Sequence, residues 1–139
     1  MLPNTINPSH SIMIPPTVNK NIEDSLRSLT GQQGILGCLL VSPEGVVVSS
    51  TLPQEIDTAT LASITATLYS NNDVSIQRMS RGNLMQMTLL TNQGILHLHS
   101  VDDHILIVFT IAGQKINLEG LIKVVDQQCD RLIAIIGKG

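Results

Sequence analysis

The stretch Ile35-Leu-Gly-Cys-Leu-Leu-Val-Ser-Pro-Glu-Gly45 is the part of the sequence that decides the fold we expect. The apolar run from Gly34 to Val41 has strand length, little alternation and a flanking turn, which predicts a strand buried on both faces. Ser42-Pro-Glu-Gly45 places serine, proline and glycine at the first, second and fourth positions of a type I turn. Val46-Val-Val48 then returns, so this segment predicts a β-hairpin.

Periodicity and capping residues extend the pattern on both sides of the hairpin. We expect helices at about Ile22–Leu29 after an Asn21 cap, Thr58–Ser70 after an Asp57 cap, and Leu118 to Gly137 after an Asn117 cap, and strands at about Leu84–Leu90, Ile95–Ser100 and Ile105–Ile111. The strands look apolar on both sides. The order α-β-β-α-β-β-β-α therefore predicts an α+β fold, a five-stranded antiparallel sheet with helices on both faces.

The second predicted helix carries two kinds of apolar residue. Larger side chains form its expected core stripe, namely Leu61, Ile64, Leu68 and Tyr69. Small ones, Ala59, Ala62 and Ala66, allow another segment to approach closely.

Composition excludes several classes of protein. The chain of 139 residues has a net charge of −3 and 1% aromatic residues, so it lacks the basic surface and stacking rings of a nucleic-acid binder. No apolar run is long enough for insertion into a membrane. Cys38 and Cys129 form no CxxC pair, and no secretory signal is recognisable. We therefore expect reduced thiols and a cytoplasmic protein.

The N-terminal residues differ from the rest of the chain. Pro3, Pro8, Pro15 and Pro16 predict a flexible arm over residues 1–18, followed by one domain over 19–139. Within the arm, Ile12-Met-Ile14 is apolar. It is either a chance cluster in a disordered tail or a short segment that docks in a groove or on a sheet edge.

No catalytic or cofactor motif emerges, and we expect neither enzymatic activity nor a cofactor. A phosphate-binding P-loop is absent, and the glycines between Gly31 and Gly37 have the wrong spacing for a dinucleotide site. His97 and His99 share one face of a predicted strand, with His104 just beyond. They are either a partial metal site or, as we favour, polar positions on a partly solvated sheet face or dimer surface.

The predicted strand Leu84–Leu90 has an unusual composition for a sheet edge. No charged residue occurs from Asn83 through Asn92. Charge and proline normally protect edge strands from pairing with other chains. Either the strand is internal, or a second copy of the chain covers it in a two-fold dimer.

These segments together resemble the Roadblock/LC7 domain. The resemblance covers about Asn21 to Ile136 and includes no catalytic signature; Longin and profilin-like folds have similar layers. It rests on the opening hairpin and on four further segments: Asn83-Leu-Met-Gln-Met-Thr-Leu-Leu90, Gly94-Ile-Leu-His-Leu-His99, Ile105-Leu-Ile-Val-Phe109 and Asn117-Leu-Glu-Gly-Leu-Ile122.

The resemblance implies a non-catalytic dimer, formed with itself or with a Roadblock paralogue. Paired third strands would continue the sheet across the dimer, and the second helices would lie side by side. The residues that this assigns to the interface are Leu84, Met85, Gln86 and Met87 on the strand and Leu61, Thr65, Leu68 and Tyr69 on the helix.

The resemblance also implies a partner. Roadblock/LC7 proteins act on Ras-like small GTPases or serve as dynein light chains and signalling-complex subunits. Arg78 and Arg81 precede the edge strand and are the possible partner contacts, with an inserted arginine finger as the less favoured role. The alternatives are a structural adaptor that ignores GTPases and a small-molecule or metal sensor.

Overall fold

The computed structural model describes residues 16–32, 34–101 and 106–137. Its elements follow the predicted order. They are α1 (Pro16–Thr30), β1 (Ile35–Val41), β2 (Val47–Ser50), α2 (Thr58–Arg78), β3 (Gln86–Thr91), β4 (Gly94–Val101), β5 (Leu106–Ala112) and α3 (Leu118–Gly137). Within the described residues, no helix is both long enough and apolar enough to cross a membrane.

The strands form one antiparallel sheet in the order β2-β1-β5-β4-β3, as predicted in its strand number and direction. Two apolar clusters cover its two faces. One joins α1 and α3 to the sheet through side chains such as Leu26 and Leu132, and the other joins α2 through Ala62 and Tyr69. Because helices cover both faces, six of the seven residues of β1 are buried. β2 and β3 form the two edges.

The turn of the β1–β2 hairpin packs against the middle of α2. Its geometry is fixed by a hydrogen bond of 2.9 Å from Gly45 N to Ser42 O and by a φ of 91° at Gly45, which favours glycine. A Cβ atom on Gly45 would lie 3.8 Å from Ala62 O and from the Ala66 side chain. The small residues of α2 therefore admit the hairpin turn.

The prediction for the start of α1 is wrong by six residues, because the helix begins at Pro16 and not at Ile22. Asn21 consequently lies inside the helix and does not cap it. Proline fits the first turn of a helix, where its missing N–H has no partner to lose, and Val18 packs against the core. The first helical turn thus overlaps the predicted arm, and residues 1–15 lie outside the described residues.

The predicted end of α2 is also wrong. The helix continues past Asn71-Asn72 to Arg78, because Asn72 Nδ2 donates to Leu68 O (2.8 Å) and Ile76 packs against the α2 side of the sheet. Asp57 caps the start as predicted and accepts from Thr60 N at 3.3 Å. The predicted turn containing His104 lies outside the described residues.

Candidate partner-binding surface

The strand β3 exposes an uncharged backbone edge. Among the described strands it pairs with β4 alone, so its other side has no strand beside it. Met85 just before the strand is 67% exposed, and Leu90 within it is 69% exposed. Among the described strands, the prediction that this segment forms a sheet edge is confirmed, and the alternative of an internal strand does not hold.

Hydrogen bonds from α2 hold the segment that leads into this edge. Leu84 N donates to Asp73 Oδ1 at 2.7 Å, and the Tyr69 hydroxyl donates to Leu84 O at 2.8 Å. Burial raises the pKa of Tyr69 to about 12, so the hydroxyl keeps its proton. Since both backbone groups of Leu84 already bond to α2, the edge open to another chain begins after Leu84.

The outer face of α2 contributes further apolar surface. Leu61 and Leu68 are half-buried, and Ile64 between them is 48% exposed, although the sequence pattern placed Ile64 in the core. Thr65 and Tyr69 point the other way. Both are buried between α2 and the sheet of their own protomer. The helix therefore presents Ile64 outward, with Leu61 and Leu68 half-exposed beside it and packed partly against the core, and it attaches itself through Thr65 and Tyr69.

The last turns of α2 and the loop after it expose further residues. Val74 is 47% exposed and Met79, which follows the helix, is 63% exposed. The sequence pattern missed this part of α2, because it ended the helix at Ser70. Arg78 ends α2 and Arg81 lies in the next loop, and both residues are exposed.

The paired histidines lie elsewhere, beneath α3. His97 and His99 share a face of β4, as predicted, but they are only 0% and 8% exposed. The expectation of a partly solvated position is therefore wrong, because α3 packs over β4. His99 Nδ1 donates to Ser100 O at 2.8 Å, and His99 Nε2 lies 3.4 Å from Asp126 Oδ1.

This arrangement gives the metal-sensor alternative no support. Within the described ranges, no three His, Cys, Asp or Glu side chains form a group that could hold a metal ion. The small-molecule alternative would need an enclosed polar cavity. An open cleft of about 280 Å³ lies between the hairpin turn and α2, and its lining is Pro43, Glu44, Ser63, Ala66, Thr67, Ser70 and Asn71.

Solved structures share the fold over most of this chain. MglB of Myxococcus xanthus is 20% identical, with a TM-score of 0.84 over 91% of this chain and 95% of that one. A Roadblock/LC7 domain from Streptomyces avermitilis is 15% identical, with a TM-score of 0.72 over 79% and 92%. A profilin of Schizosaccharomyces pombe is 10% identical, with a TM-score of 0.62 over 81% and 97%. These likenesses establish the fold.

Sequence comparison identifies the family more narrowly than the fold does. The curated proteins contain no significant match to this chain. The family model described as the Roadblock/LC7 domain matches residues 21–110, which is more than half of the sequence. By this match, and by a fold that agrees with it, the chain belongs to the Roadblock/LC7 domain family.

Proposed function

We propose that this protein is a dimeric, non-enzymatic platform that binds a Ras-like small GTPase and regulates it. The observation that carries the proposal is the open edge of β3, uncharged from Asn83 through Asn92 and flanked by the exposed Met85 and Leu90. An edge of this kind promotes pairing with another chain. A second copy satisfies it by the same contact on both sides of a two-fold axis.

Two surfaces would form the dimer together. The β3 edges would pair through Met85, Gln86 and Met87, and the α2 helices would meet through Leu61, Ile64 and Leu68. Tyr69 donates to Leu84 O and Asp73 accepts from Leu84 N, and these two hydrogen bonds join the surfaces because they fix α2 relative to the start of the edge. Thr65, Tyr69 and Leu84 would therefore support the interface from inside each protomer.

Membership of the Roadblock/LC7 domain family favours a role in the regulation of a small GTPase. A platform of this kind acts by binding one arrangement of the partner's switch loops better than another. Arg78 and Arg81 are exposed at the end of α2 and in the loop that precedes β3, which suits contacts with a partner's acidic groups. The chain itself needs to supply no reacting group.

The first test is the mass in solution. Light scattering should give about twice the chain mass of 15.0 kDa. Met85→Lys places a charge on the paired edge at a side chain that is 67% exposed in the protomer, and it should weaken the dimer at least about tenfold, since an edge lysine blocks strand pairing. Ile133→Lys is the matched control, because Ile133 is 38% exposed but lies on α3, and it should remain dimeric. A monomeric wild type contradicts the dimer, and equal effects of both lysines contradict the interface at β3.

The second test concerns the partner. Ras-like GTPases of the source organism, loaded with GDP or with a non-hydrolysable GTP analogue, should differ in their binding to the wild-type protein. Binding that ignores the nucleotide favours the structural adaptor. If the protein stimulates hydrolysis, the Arg78→Ala/Arg81→Ala double variant should retain the stimulation while binding more weakly. Complete loss of stimulation at saturating protein would instead indicate an arginine finger.

A further inference from the structure

A row of polar side chains crosses the buried face of the sheet beneath α3. His97 on β4 lies directly opposite Thr88 on β3 and Thr110 on β5. His97 and Thr110 are fully buried. On the same face of β4, Ile95 and Val101 are apolar, and His99 is the polar neighbour, with its ring centroid 6.2 Å from that of His97. A histidine in such a place needs an explanation, because buried polar groups are costly unless they are bonded.

Only one nitrogen of His97 is satisfied. Its Nδ1 lies 2.7 Å from Thr88 Oγ1, a hydrogen bond that joins the edge strand to β4. Within the described residues, His97 Nε2 has no hydrogen-bond partner. In its neutral form, the His97 ring leaves only its Nε2 atom without a hydrogen bond to the described residues. Imidazolium would instead bury a positive charge with an unbonded N–H, which is far more costly.

The surroundings offer little to stabilise that charge. The titratable groups on this side of the sheet include His99 on β4, Cys38 on β1, and Asp126 and Cys129 on α3. The remaining charged residues of α1 and α3 are exposed to solvent, namely Lys20, Glu23, Asp24, Arg27, Glu119, Lys123, Asp130 and Arg131. Asp126 pairs with His99 at 3.4 Å. Burial, and secondarily the charge of His99, lowers the pKa of His97 to about 4.

We propose that His97 is an acid-sensitive latch that holds the edge strand β3 on the sheet, so that acidification weakens this edge and the self-association that uses it. Protonation requires water to reach the imidazole ring, and the packing around the ring must open for this. β3 is the strand that moves most easily, because it is paired on one side only and is bonded to His97 through Thr88. The inference that acid weakens self-association rests on the proposed function. The inference that acid loosens β3 from the sheet does not.

The direction and size of the effect follow from linkage. Folding lowers the pKa of His97 from its ordinary value of 6.5 to about 4, so its contribution to stability is present above pH 6.5 and is lost as the pH falls towards 4. Between pH 7 and pH 5 the unfolding equilibrium constant should rise about 20-fold through this group alone. Carboxylates also titrate as the pH falls. They are common to the wild type and the variants, so the difference between the proteins isolates His97.

The test combines urea unfolding with light scattering at pH 7, 6 and 5. His97→Asn can still bond to Thr88 but cannot titrate, and it should lack the roughly 20-fold component and keep its pH 7 mass at pH 5. His97→Gln serves as a second variant if the asparagine protein does not fold. His99→Asn retains the buried His97 and should keep most of the pH dependence of the wild type, because burial is the larger cause of the lowered His97 pKa. The wild-type dimer should dissociate on acidification.

Different results would overturn different steps. If the stability to urea depends on pH equally in the wild type and in the His97 variant that folds, His97 is not the acid-sensitive group and the latch is refuted. A wild-type dimer that is as tight at pH 5 as at pH 7, despite the loss of stability, would show that His97 does not control the edge. A wild type that is monomeric at pH 7 would refute the proposed dimer, and the unfolding data would still decide for or against the latch.

Discussion

Replacement of Tyr69 by phenylalanine removes one oxygen atom from the contact between α2 and the segment that enters β3. The hydroxyl donates to Leu84 O at 2.8 Å, and the side chain is 3% exposed. Phenylalanine keeps the ring and its packing. The variant therefore tests the hydrogen bond that positions the edge strand and leaves the apolar contacts of α2 in place.

The expected loss follows from the unsatisfied carbonyl that remains. A buried group that loses its partner costs about 1–3 kcal/mol. At about 4 °C for each kcal/mol in a domain of this size, Tm should fall by about 4–12 °C. Because Ser100 N donates to Met85 O at the start of the same edge, the Ser100 amide should also exchange its proton faster.

Urea unfolding followed by circular dichroism measures the first effect, and amide exchange by NMR measures the second. Asp73→Asn is the matched control, since it keeps an oxygen to accept the Leu84 N–H at the same place. It should cost less than Tyr69→Phe. If Tyr69→Phe stays within about 0.5 kcal/mol of the wild type, the usual range of neutral substitutions, and Ser100 exchange is unchanged, then Tyr69 does not hold the edge and our reasoning is refuted.

Four further predictions concern the protomer. Ser25→Ala removes a buried 2.8 Å bond to Gln128 Oε1 and should cost about 1–3 kcal/mol in urea unfolding; no loss would mean that α1 and α3 are held by packing alone. Gly94→Ala would place a Cβ atom 2.2 Å from Ala112 O, so most of the protein should be insoluble or unfolded by circular dichroism. Leu132→Ala empties a fully buried site and should cost about 2–5 kcal/mol. Burial raises the pKa of Cys38. Burial, with the charges of Asp126 and Asp130, raises the pKa of Cys129 to about 12. Iodoacetamide at pH 8 should therefore label both thiols in urea and neither in the folded protein, and rapid labelling of the folded protein would contradict their burial.

Local signals in the sequence were sufficient for the element order and the hairpin. The Ser42–Gly45 turn forms because its residue types match one backbone geometry whatever surrounds them. Asp57 and Asn117 start their helices for a similar reason, since each side chain accepts from a backbone N–H three residues later. The absence of charge from Asn83 through Asn92 likewise indicated either an internal strand or an edge that a second copy covers.

Element ends and side-chain directions were less predictable. Pro16 and Asn72 have residue types that commonly interrupt helices, yet both lie in helices, because neighbouring residues such as Val18 and Ile76 pack on the core. The same limit applies to Ile64 and Tyr69. Both fitted an apolar stripe, but the single helix on that face buries Tyr69 and leaves Ile64 exposed.

The sequence by itself determined the order of the elements, the hairpin and the uncharged strand, because turn geometry, capping and hydrophobic period depend on residues close together in the chain. Only the tertiary structure decided that β3 lies at an edge, that α2 bonds to both backbone groups of Leu84, and that His97 is buried beneath α3. Each of these depends on which distant segments pack together. That choice follows from the burial of apolar surface over the whole chain, which no local pattern records.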